Sequence, residues 1–352
     1  MKGKITLLFL ALTSIGYSQI PNGYYSTATG TGATLKTQLY NIIKGHTDAT
    51  YDGLYSIYQS SDIDNFYEKD GTIMDMYSEN PTNTDPYNYA SGSTQRCGNY
   101  QNEGDCYNRE HMIPQSVFSK KAPMVSDAHH ITPTDGKVNG LRSNFPHGIV
   151  NTASKVTQNG GKLGSSGISG YSGTVFEPID EFKGDIARIY FYFVTRYENT
   201  VSSYPYDAFN STSFPALNPA FIELFAQWHK QDPVSAFEIQ RNNAIYATQK
   251  NRNPYIDHPE YVTAIWSAYL SNEENTLSFD TSVYPNPTEG KFTITCKEFG
   301  KYEIEILSIV GQKVATQTFD GNETSIDNLP KGVYLVKISH ANQSTTKKII
   351  IN

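Results

Sequence analysis

The pattern of apolar and polar residues divides the chain into a mostly helical part and a β-rich part. Apolar residues recur at helical spacing between Leu35 and Ile43, which predicts an amphipathic helix over 33–47. The stretch 72–77 alternates and predicts a strand, whereas the Gly- and Ser-rich stretch 151–174 predicts loops. Spacing and start signals predict four further helices, at 181–198, 218–231, 233–249 and 259–270.

The pattern changes at residue 271. Residues 271–282 are polar and typical of a linker. Short alternating runs then follow one another, with glycine-containing turns between them, at 292–296, 302–308, 313–319, 333–338 and 346–351. We therefore predict a small all-β sandwich over residues 283–352.

A polar stretch in the middle of the helical part contains two short predicted strands and a short helix. The strands are expected at 107–113 and 128–131, and a turn at 133–135 leads into a helix over 137–143. Thr and Asp side chains in that turn are suited to cap the first N–H groups of the helix. The fold class is therefore predicted as α+β, with a strand–strand–helix core and surrounding helices in one domain over 19–270.

The first residues have the pattern of a secretory signal peptide. A basic start precedes an apolar run from Ile5 to Leu12, and small residues follow it up to Ser18. A membrane anchor is the alternative, but this run is too short to cross ~30 Å of hydrocarbon. We predict a signal peptide over 1–18 and a mature protein outside the cytoplasm.

The three cysteines fit that location. Cys97 and Cys106 are nine residues apart in a polar loop, which favours a local disulfide in an oxidising compartment. A zinc site is the rival interpretation, but no second Cys pair or close His pair supplies further ligands. Cys296 is far away in sequence and is expected to be unpaired.

The charge distribution limits how the protein could bind nucleic acid. The formal net charge is −7, whereas a protein that grips nucleic acid over its whole surface is usually basic. Within 107–148, however, five basic residues face three acidic ones, and four histidines accompany them. A locally positive site on an acidic chain permits phosphate binding.

His111 is the first candidate for catalysis. It follows Glu110 and lies in a cluster of polar residues that faces a second His-containing strand. An imidazole has a pKa near neutrality and suits a general base that takes a proton from water. A structural histidine is the alternative.

Asn139 and Arg142 are three residues apart on the short helix and therefore share a face. An amide oxygen together with one carboxylate suits Mg²⁺, which takes the rest of its ligands from water and phosphate. Arg142 could hold a phosphate in bidentate fashion. Alternatively, both side chains hydrogen-bond the helix to the strands.

At this point the chain resembles the endonuclease I family of secreted nucleases, whose ββα-metal layout places a His on the first strand and an Asn on the helix. The resemblance covers roughly residues 35–270. It is carried by Asn108-Arg109-Glu110-His111, Pro114-Gln115-Ser116, Ser126-Asp127-Ala128-His129-His130, Val138-Asn139-Gly140-Leu141-Arg142-Ser143-Asn144 and Asn251-Arg252-Asn253-Pro254-Tyr255-Ile256-Asp257-His258-Pro259.

The resemblance implies roles for the central residues. His111 would be the general base, and Glu110 and Asn139 would hold one divalent metal, expected as Mg²⁺ with Ca²⁺ or Mn²⁺ as alternatives. Arg142 would contact phosphate as a catalytic residue. Cleavage would leave a 5′ phosphate and a 3′ hydroxyl.

Further residues have less specific implied roles. Asp127 and His129 would orient the site or pack beneath it. Val125 departs from the family, because some members carry an acidic residue there, and the connection over 117–125 lacks their arginine. The residues expected to bind substrate are Arg109, Asn144, Lys120 and Lys121.

The C-terminal module resembles the sorting domain of proteins exported by the type IX system of Bacteroidetes. The matching residues are Tyr284-Pro285-Asn286-Pro287, Gly311-Gln312-Lys313-Val314, Leu329-Pro330-Lys331-Gly332-Val333-Tyr334 and Lys347-Lys348-Ile349-Ile350-Ile351. The resemblance implies the type IX secretion machinery as a partner. An accessory module that binds carbohydrate or a surface is the alternative.

These observations predict a secreted, metal-dependent, non-specific endonuclease that hydrolyses DNA and RNA. Its expected partner is the nucleic-acid backbone. Sequence preference is not expected, because backbone phosphates carry no base information. The alternatives are a secreted ribonuclease of the same family and a non-catalytic cell-surface protein.

Overall fold

The computed structural model describes residues 20–270, 281–308, 312–340 and 343–352. The predicted signal peptide, 1–18, lies outside the described residues, and so does most of the predicted linker. The chain divides into two compact units, residues 1–271 and 272–352. In the described ranges, no helix combines the length and the apolar character needed to cross a membrane.

The first unit contains eight helices and five strands among its described residues. The helices are α1 Gly32–Ile43, α2 Leu54–Ser61, α3 Gly136–Arg142, α4 Lys183–Arg196, α5 Pro219–Gln231, α6 Ala236–Gln249, α7 Pro254–Asp257 and α8 Tyr261–Trp266. The strands are β1 Tyr107–His111, β2 Ile131–Asp135, β3 Val150–Val156, β4 Lys162–Ser166 and β5 Thr174–Glu177. The mixed α+β class is thus confirmed.

Helix α4 is the centre of this unit. Every residue of α4 except Lys183 is buried, so the helix is enclosed on all sides. It packs against α1, α5 and α7, and also against the 3₁₀ turn Ala128–His130. The predicted amphipathic pattern therefore located the helix correctly but underestimated how deeply it is buried.

The predicted strand–strand–helix core is present with shifted bounds. β1 and β2 pair antiparallel, with Glu110 opposite Thr132 and His111 opposite Ile131. Residues 128–130 form a 3₁₀ turn and not the predicted strand, which begins only at Ile131. The predicted turn at 133–135 belongs to β2. Asp135 caps α3, because its Oδ1 accepts the Val138 N–H at 2.7 Å.

Two other predictions were wrong. Residues 72–77 form only isolated bridges and a turn, in which the Asp75 carboxylate accepts the N–H groups of Tyr77 and Asp135, each at 2.8 Å. The predicted loops over 151–174 contain the antiparallel sheet β3–β4–β5. Most of β3 is exposed, so its sequence carries no alternation of apolar residues.

The second unit is all-β, as predicted. Its strands are β6 Thr281–Tyr284, β7 Phe292–Ser308, β8 Lys313–Ile326, β9 Gly332–His340 and β10 Gln343–Ile351. Among the described residues of this unit they form one five-stranded sheet in the order β10-β9-β7-β6, with β8 paired to β7. The predicted strands 292–296 and 302–308 are parts of the one long β7. Phe292, Ile304 and Val336 belong to the hydrophobic core of the second unit.

Candidate active site

His111 ends β1 and is buried, with 3% of its surface exposed. Its Nε2 lies 3.3 Å from the Val125 carbonyl oxygen, and because a carbonyl can only accept, Nε2 carries the proton and donates it. In a neutral ring the lone pair then sits on Nδ1, which is buried and has no hydrogen-bond partner among the described residues. Burial, followed by the neighbouring His130, lowers the pKa of His111 to about 3, so the ring is neutral at neutral pH.

Glu110 precedes His111 and is held by two donors. The Tyr77 hydroxyl donates to its Oε1 at 2.9 Å, and Nη1 of Arg142 donates to the same oxygen at 3.1 Å. Burial raises the pKa of Glu110, and the Arg142 guanidinium opposes that rise. Both hydrogen bonds fall on Oε1, which fixes the carboxylate and leaves Oε2 without a hydrogen bond in the described structure.

Asn139 lies in the middle of α3 and is partly exposed. Its Nδ2 donates to the carbonyl oxygen of Arg109, the residue before Glu110, at 3.4 Å. Because Nδ2 makes this contact, the amide oxygen Oδ1 is left to accept a ligand. One carboxylate oxygen and one amide oxygen are the donors that a hard cation such as Mg²⁺ takes, so these two residues fit a divalent metal.

Arg142 is enclosed by protein acceptors, with 1% of its surface exposed. Besides the bond to Glu110, it donates to the carbonyl oxygens of His111 at 2.8 Å, Met112 at 2.6 Å and Phe145 at 2.9 Å, and to the Tyr206 hydroxyl at 3.3 Å. A guanidinium has five N–H donors, and all five are used. This arrangement leaves no donor for the phosphate contact expected from the sequence.

Comparison with known proteins decides the family. A family model described as Endonuclease I matches residues 31–260, which include β1, β2 and α3. The chain belongs to the endonuclease I family. A second model, described as a secretion system C-terminal sorting domain, matches residues 282–352.

Individual relatives agree with this assignment. An extracellular ribonuclease of Bacillus amyloliquefaciens is 34% identical over 249 residues, 69% of this chain and 78% of the relative. An extracellular ribonuclease of Bacillus subtilis is 34% identical over 271 residues, 75% of this chain and 85% of the relative. An Endonuclease-1 of Buchnera aphidicola is 33% identical over 131 residues, 37% of this chain and 46% of the relative.

This endonuclease I family member is therefore a nuclease hydrolase, and its sorting domain marks it for secretion or the cell surface. The assignment decides against the non-catalytic alternative. Nucleic acid is the substrate class that the family implies, and family members are generally dependent on a divalent metal.

Asp127 and His129 lie beneath the site in a fully buried network. Asp127 accepts the hydroxyls of Tyr192 and Tyr197, each at 2.8 Å, and Nε2 of His129 donates to the Asn251 carbonyl oxygen at 3.0 Å. Burial lowers the pKa of His129 to about 3. These contacts tie the β1–β2 connection to α4 and to residue 251.

The downstream signature 251–253 is also interior. Asn251, Arg252 and Asn253 are each no more than 1% exposed. Arg252 forms an ion pair with Asp257 at 2.6 Å. In this nuclease residues 251–253 therefore belong to the core and do not line a groove.

The residues expected to bind substrate differ in exposure: Arg109 is partly buried against two tyrosine rings, whereas the other three are at the surface. The guanidinium of Arg109 lies 3.4 Å from the ring centroid of Tyr51 and 4.4 Å from that of Tyr55, and its Nη1 contacts Asp52 at 3.0 Å. Lys120, Lys121 and Asn144 are exposed.

A cleft of about 670 Å³ lies next to the β1–β2 connection. Its lining includes Lys121 and Met124 from that connection, together with Lys44, Arg196 and Tyr204. The sequence did not point to Lys44 or Arg196, because helical periodicity identifies core positions and not the cationic side chains that line a cleft. Tyr77 was missed as well, since nothing local to it indicates a bond to Glu110.

The predicted disulfide between Cys97 and Cys106 is confirmed, and Cys296 is unpaired. The bonded loop runs beside β1, where the Cys97 N–H donates to the Tyr107 carbonyl oxygen at 2.9 Å. Within the loop, the Gly104 N–H donates to Oδ2 of Asp135 at 2.8 Å. The disulfide therefore helps to hold both the start of β1 and the cap of α3.

Proposed function

We propose that this endonuclease hydrolyses phosphodiester bonds of DNA and RNA without sequence preference, with His111 as general base and one divalent cation, Mg²⁺, held by Glu110 and Asn139. The observation that carries the proposal is the state of the His111 ring. Its Nε2–H is committed to the Val125 carbonyl, so Nδ1 is the atom that can take a proton.

The reaction follows from the groups of the chain. Nδ1 of His111 takes a proton from water, the resulting hydroxide attacks phosphorus, and the bond from phosphorus to the 3′ oxygen breaks. The products are a 5′ phosphate and, after protonation of the leaving oxygen, a 3′ hydroxyl. When bound, the cation would supply Lewis-acid stabilisation of the charge on the phosphate and the leaving oxygen.

The remaining residues take supporting roles in this proposal. Arg142 acts as a positioning residue, because it bonds both the carboxylate of Glu110 and the main chain of His111. Arg109, Lys120, Lys121 and Asn144 are proposed to contact the substrate backbone, which carries no base information.

Activity on RNA and on DNA is supported by different observations. The two relatives at 34% identity are named extracellular ribonucleases, and the Buchnera relative is named Endonuclease-1. Because water is the attacking group in this mechanism, a 2′ hydroxyl is not required. We therefore propose that both nucleic acids are cleaved.

The experiment uses the full chain with supercoiled plasmid DNA and with RNA, in EDTA and after addition of Mg²⁺, Mn²⁺ or Ca²⁺. Cleavage of both substrates, abolished by EDTA and restored by Mg²⁺, is expected, and the cut ends should accept a ligase without phosphorylation. Cleavage that persists in EDTA would reject the proposed requirement for a metal. Products with 5′ hydroxyl ends would reject the proposal that the bond to the 3′ oxygen breaks.

Two variants test the proposed ligands. Glu110→Gln and Asn139→Ala should each raise the half-saturating Mg²⁺ concentration at least roughly tenfold, because each removes or weakens one of the two protein ligands. Glu260→Gln, at an exposed carboxylate paired with His258, serves as the matched control. Unchanged Mg²⁺ titration curves in both ligand variants would reject the assignment.

A further inference from the structure

Three carboxylates meet at a second place in the first unit. Oxygen atoms of Asp64, Glu68 and Glu79 all lie within 4.8 Å of one another. Asp64 and Glu79 are 1% and 2% exposed, whereas Glu68 is exposed and opens the cluster to solvent. Neither Glu110 nor Asn139 belongs to this group, so it is a different site from the proposed catalytic metal site.

One of the two buried members, Glu79, has a side-chain oxygen without a hydrogen-bond partner among the described residues. Oε1 of Glu79 is closed off from solvent and has no hydrogen-bond donor among the described residues. The neighbouring Asn159 donates from Nδ2 to the Glu79 carbonyl oxygen at 2.6 Å, and its own buried Oδ1 is likewise unpartnered in the described structure. Buried acceptors are normally satisfied, so the unpartnered Oε1 of Glu79 within the carboxylate cluster indicates a ligand from outside the chain.

The charges around the cluster favour a cation. No ion pair within the described ranges neutralises Asp64, Glu68, Glu79 or the nearby Asp85. Because these carboxylates lie close together, their charges repel one another, and a bound divalent cation would remove this repulsion.

The backbone already holds Asp64 in place. Its Oδ1 accepts the N–H groups of Phe66 and Tyr67, each at 2.9 Å, and its Oδ2 accepts the Lys69 N–H at 2.8 Å. Each carboxylate oxygen has further acceptor capacity. A fixed carboxylate, a second buried one and an exposed third can therefore close around an ion without rebuilding the fold.

We propose that Asp64, Glu68 and Glu79 bind a Ca²⁺ ion. Ca²⁺ takes six to eight oxygen ligands in flexible geometry, and carboxylates, amide oxygens and water supply them. The cluster offers three carboxylates, and water can supply the remaining ligands. Extracellular Ca²⁺ sites typically bind at roughly 10⁻⁴–10⁻³ M, which suits a protein marked for secretion.

The position of the site connects it to the catalytic residues without depending on their proposed roles. Glu79 lies two residues after Tyr77, whose hydroxyl bonds Glu110, and four after Asp75, which accepts the Asp135 N–H. Ca²⁺ at Glu79 would therefore fix the segment 75–79 that contacts both ends of the strand–strand–helix core.

The test measures thermal unfolding of the full chain by tryptophan fluorescence, after treatment with EDTA and then in a Ca²⁺ titration. Both tryptophans, Trp228 and Trp266, lie in the first unit, so the signal reports that unit alone. The Asn139→Ala background weakens binding at the proposed catalytic site. In this background, Ca²⁺ at about 100 times its Kd should raise Tm by roughly 5–10 °C.

Variants of the cluster distinguish Ca²⁺ binding from the alternative that the carboxylates are held together by a proton on Glu79. Added to that background, Glu79→Gln should abolish the Ca²⁺-dependent rise in Tm, and Glu68→Gln, at an exposed position, should shift the Ca²⁺ midpoint upward at least tenfold. Glu260→Gln should leave the response intact. The proposal is overturned if Ca²⁺ fails to raise the Tm of the Asn139→Ala protein, or if adding Glu68→Gln leaves the Ca²⁺ midpoint of that protein unchanged. Glu79 would then hold a proton instead.

Discussion

Nε2 of His111 donates to the carbonyl oxygen of Val125 across 3.3 Å. The contact is made by the main chain of residue 125, so the orientation of the ring does not depend on the side chain there. The acidic residue that some family members carry at this position is therefore not needed to fix the tautomer of His111. The departure noted in the sequence leaves the proposed base intact.

Arg142→Lys tests whether Arg142 positions the site or touches substrate. Lysine has three N–H donors, so at least two of the five acceptors lose the donor that Arg142 supplies, at ~1–3 kcal/mol for each one that is buried. We expect Tm to fall by at least roughly 4 °C and kcat to fall with little change in KM. An unchanged Tm together with a raised KM would instead indicate a phosphate contact.

Tyr77→Phe tests the bond that holds Glu110. The variant removes one donor to Oε1 of Glu110 and leaves the ring in place. Loss of a group that orients a metal ligand typically costs 10–100-fold in metal affinity, so the half-saturating Mg²⁺ concentration for plasmid cleavage should rise roughly tenfold or more. Tyr171→Phe, which loses an exposed hydroxyl–carboxylate bond to Asp207, should not change it.

Replacing both cysteines of the disulfide tests the loop that borders β1. The bond closes a loop between residues nine apart, so its loss should destabilise the first unit by about 2–3 kcal/mol. Tryptophan fluorescence of Cys97→Ser/Cys106→Ser should show Tm lowered by roughly 4–12 °C. Cys296→Ser, in the second unit, is the control. Equal Tm values for all three proteins would show that the loop is held without the bond.

The buried histidines predict a defined pH dependence of stability. Burial lowers the pKa of His130 to about 4, whereas an unfolded histidine titrates near ~6.5. Between these values the unfolded chain binds a proton that the folded chain does not, so stability falls as the pH drops from 6.5 towards 4.

The comparison of wild type with His130→Gln isolates this effect. In urea unfolding, wild type should lose about 2 kcal/mol more than the variant between pH 7 and pH 5, because one pKa unit corresponds to ~1.4 kcal/mol. Titratable groups that do not interact with His130 contribute equally to both proteins and cancel. Identical losses in the two proteins would mean that folding does not lower the pKa of His130.

The sequence predicted the parts of this protein that rest on local patterns. Helices α4, α5 and α6 follow from spacing and start signals, and Ser235 with Glu238 forms the capping box of α6. The strand–strand–helix core was located because its polar residues are closely spaced in a long ordered motif. Cys97 and Cys106 could be paired because few residues separate them.

What the sequence did not predict depends on contacts between distant segments. Strand β3 is mostly exposed and shows no alternation, so its sequence predicts a loop. Arg142 is three residues from Asn139 on one helix, yet it points into buried carbonyls and is saturated by them. The carboxylates of Asp64 and Glu79 come together only through folding of the connecting loop, and no local pattern indicates that meeting.

The most direct measurement of the catalytic proposal is single-turnover plasmid cleavage by His111→Ala at saturating Mg²⁺, with Tm measured on the same sample. General-base catalysis is typically worth 10²–10⁴-fold, so the rate should fall by at least roughly 100-fold while Tm stays within a few degrees of wild type. His258→Gln, at a half-exposed histidine paired with Glu260, should retain the wild-type rate. A folded His111→Ala protein that keeps more than about a tenth of the wild-type rate would contradict the account.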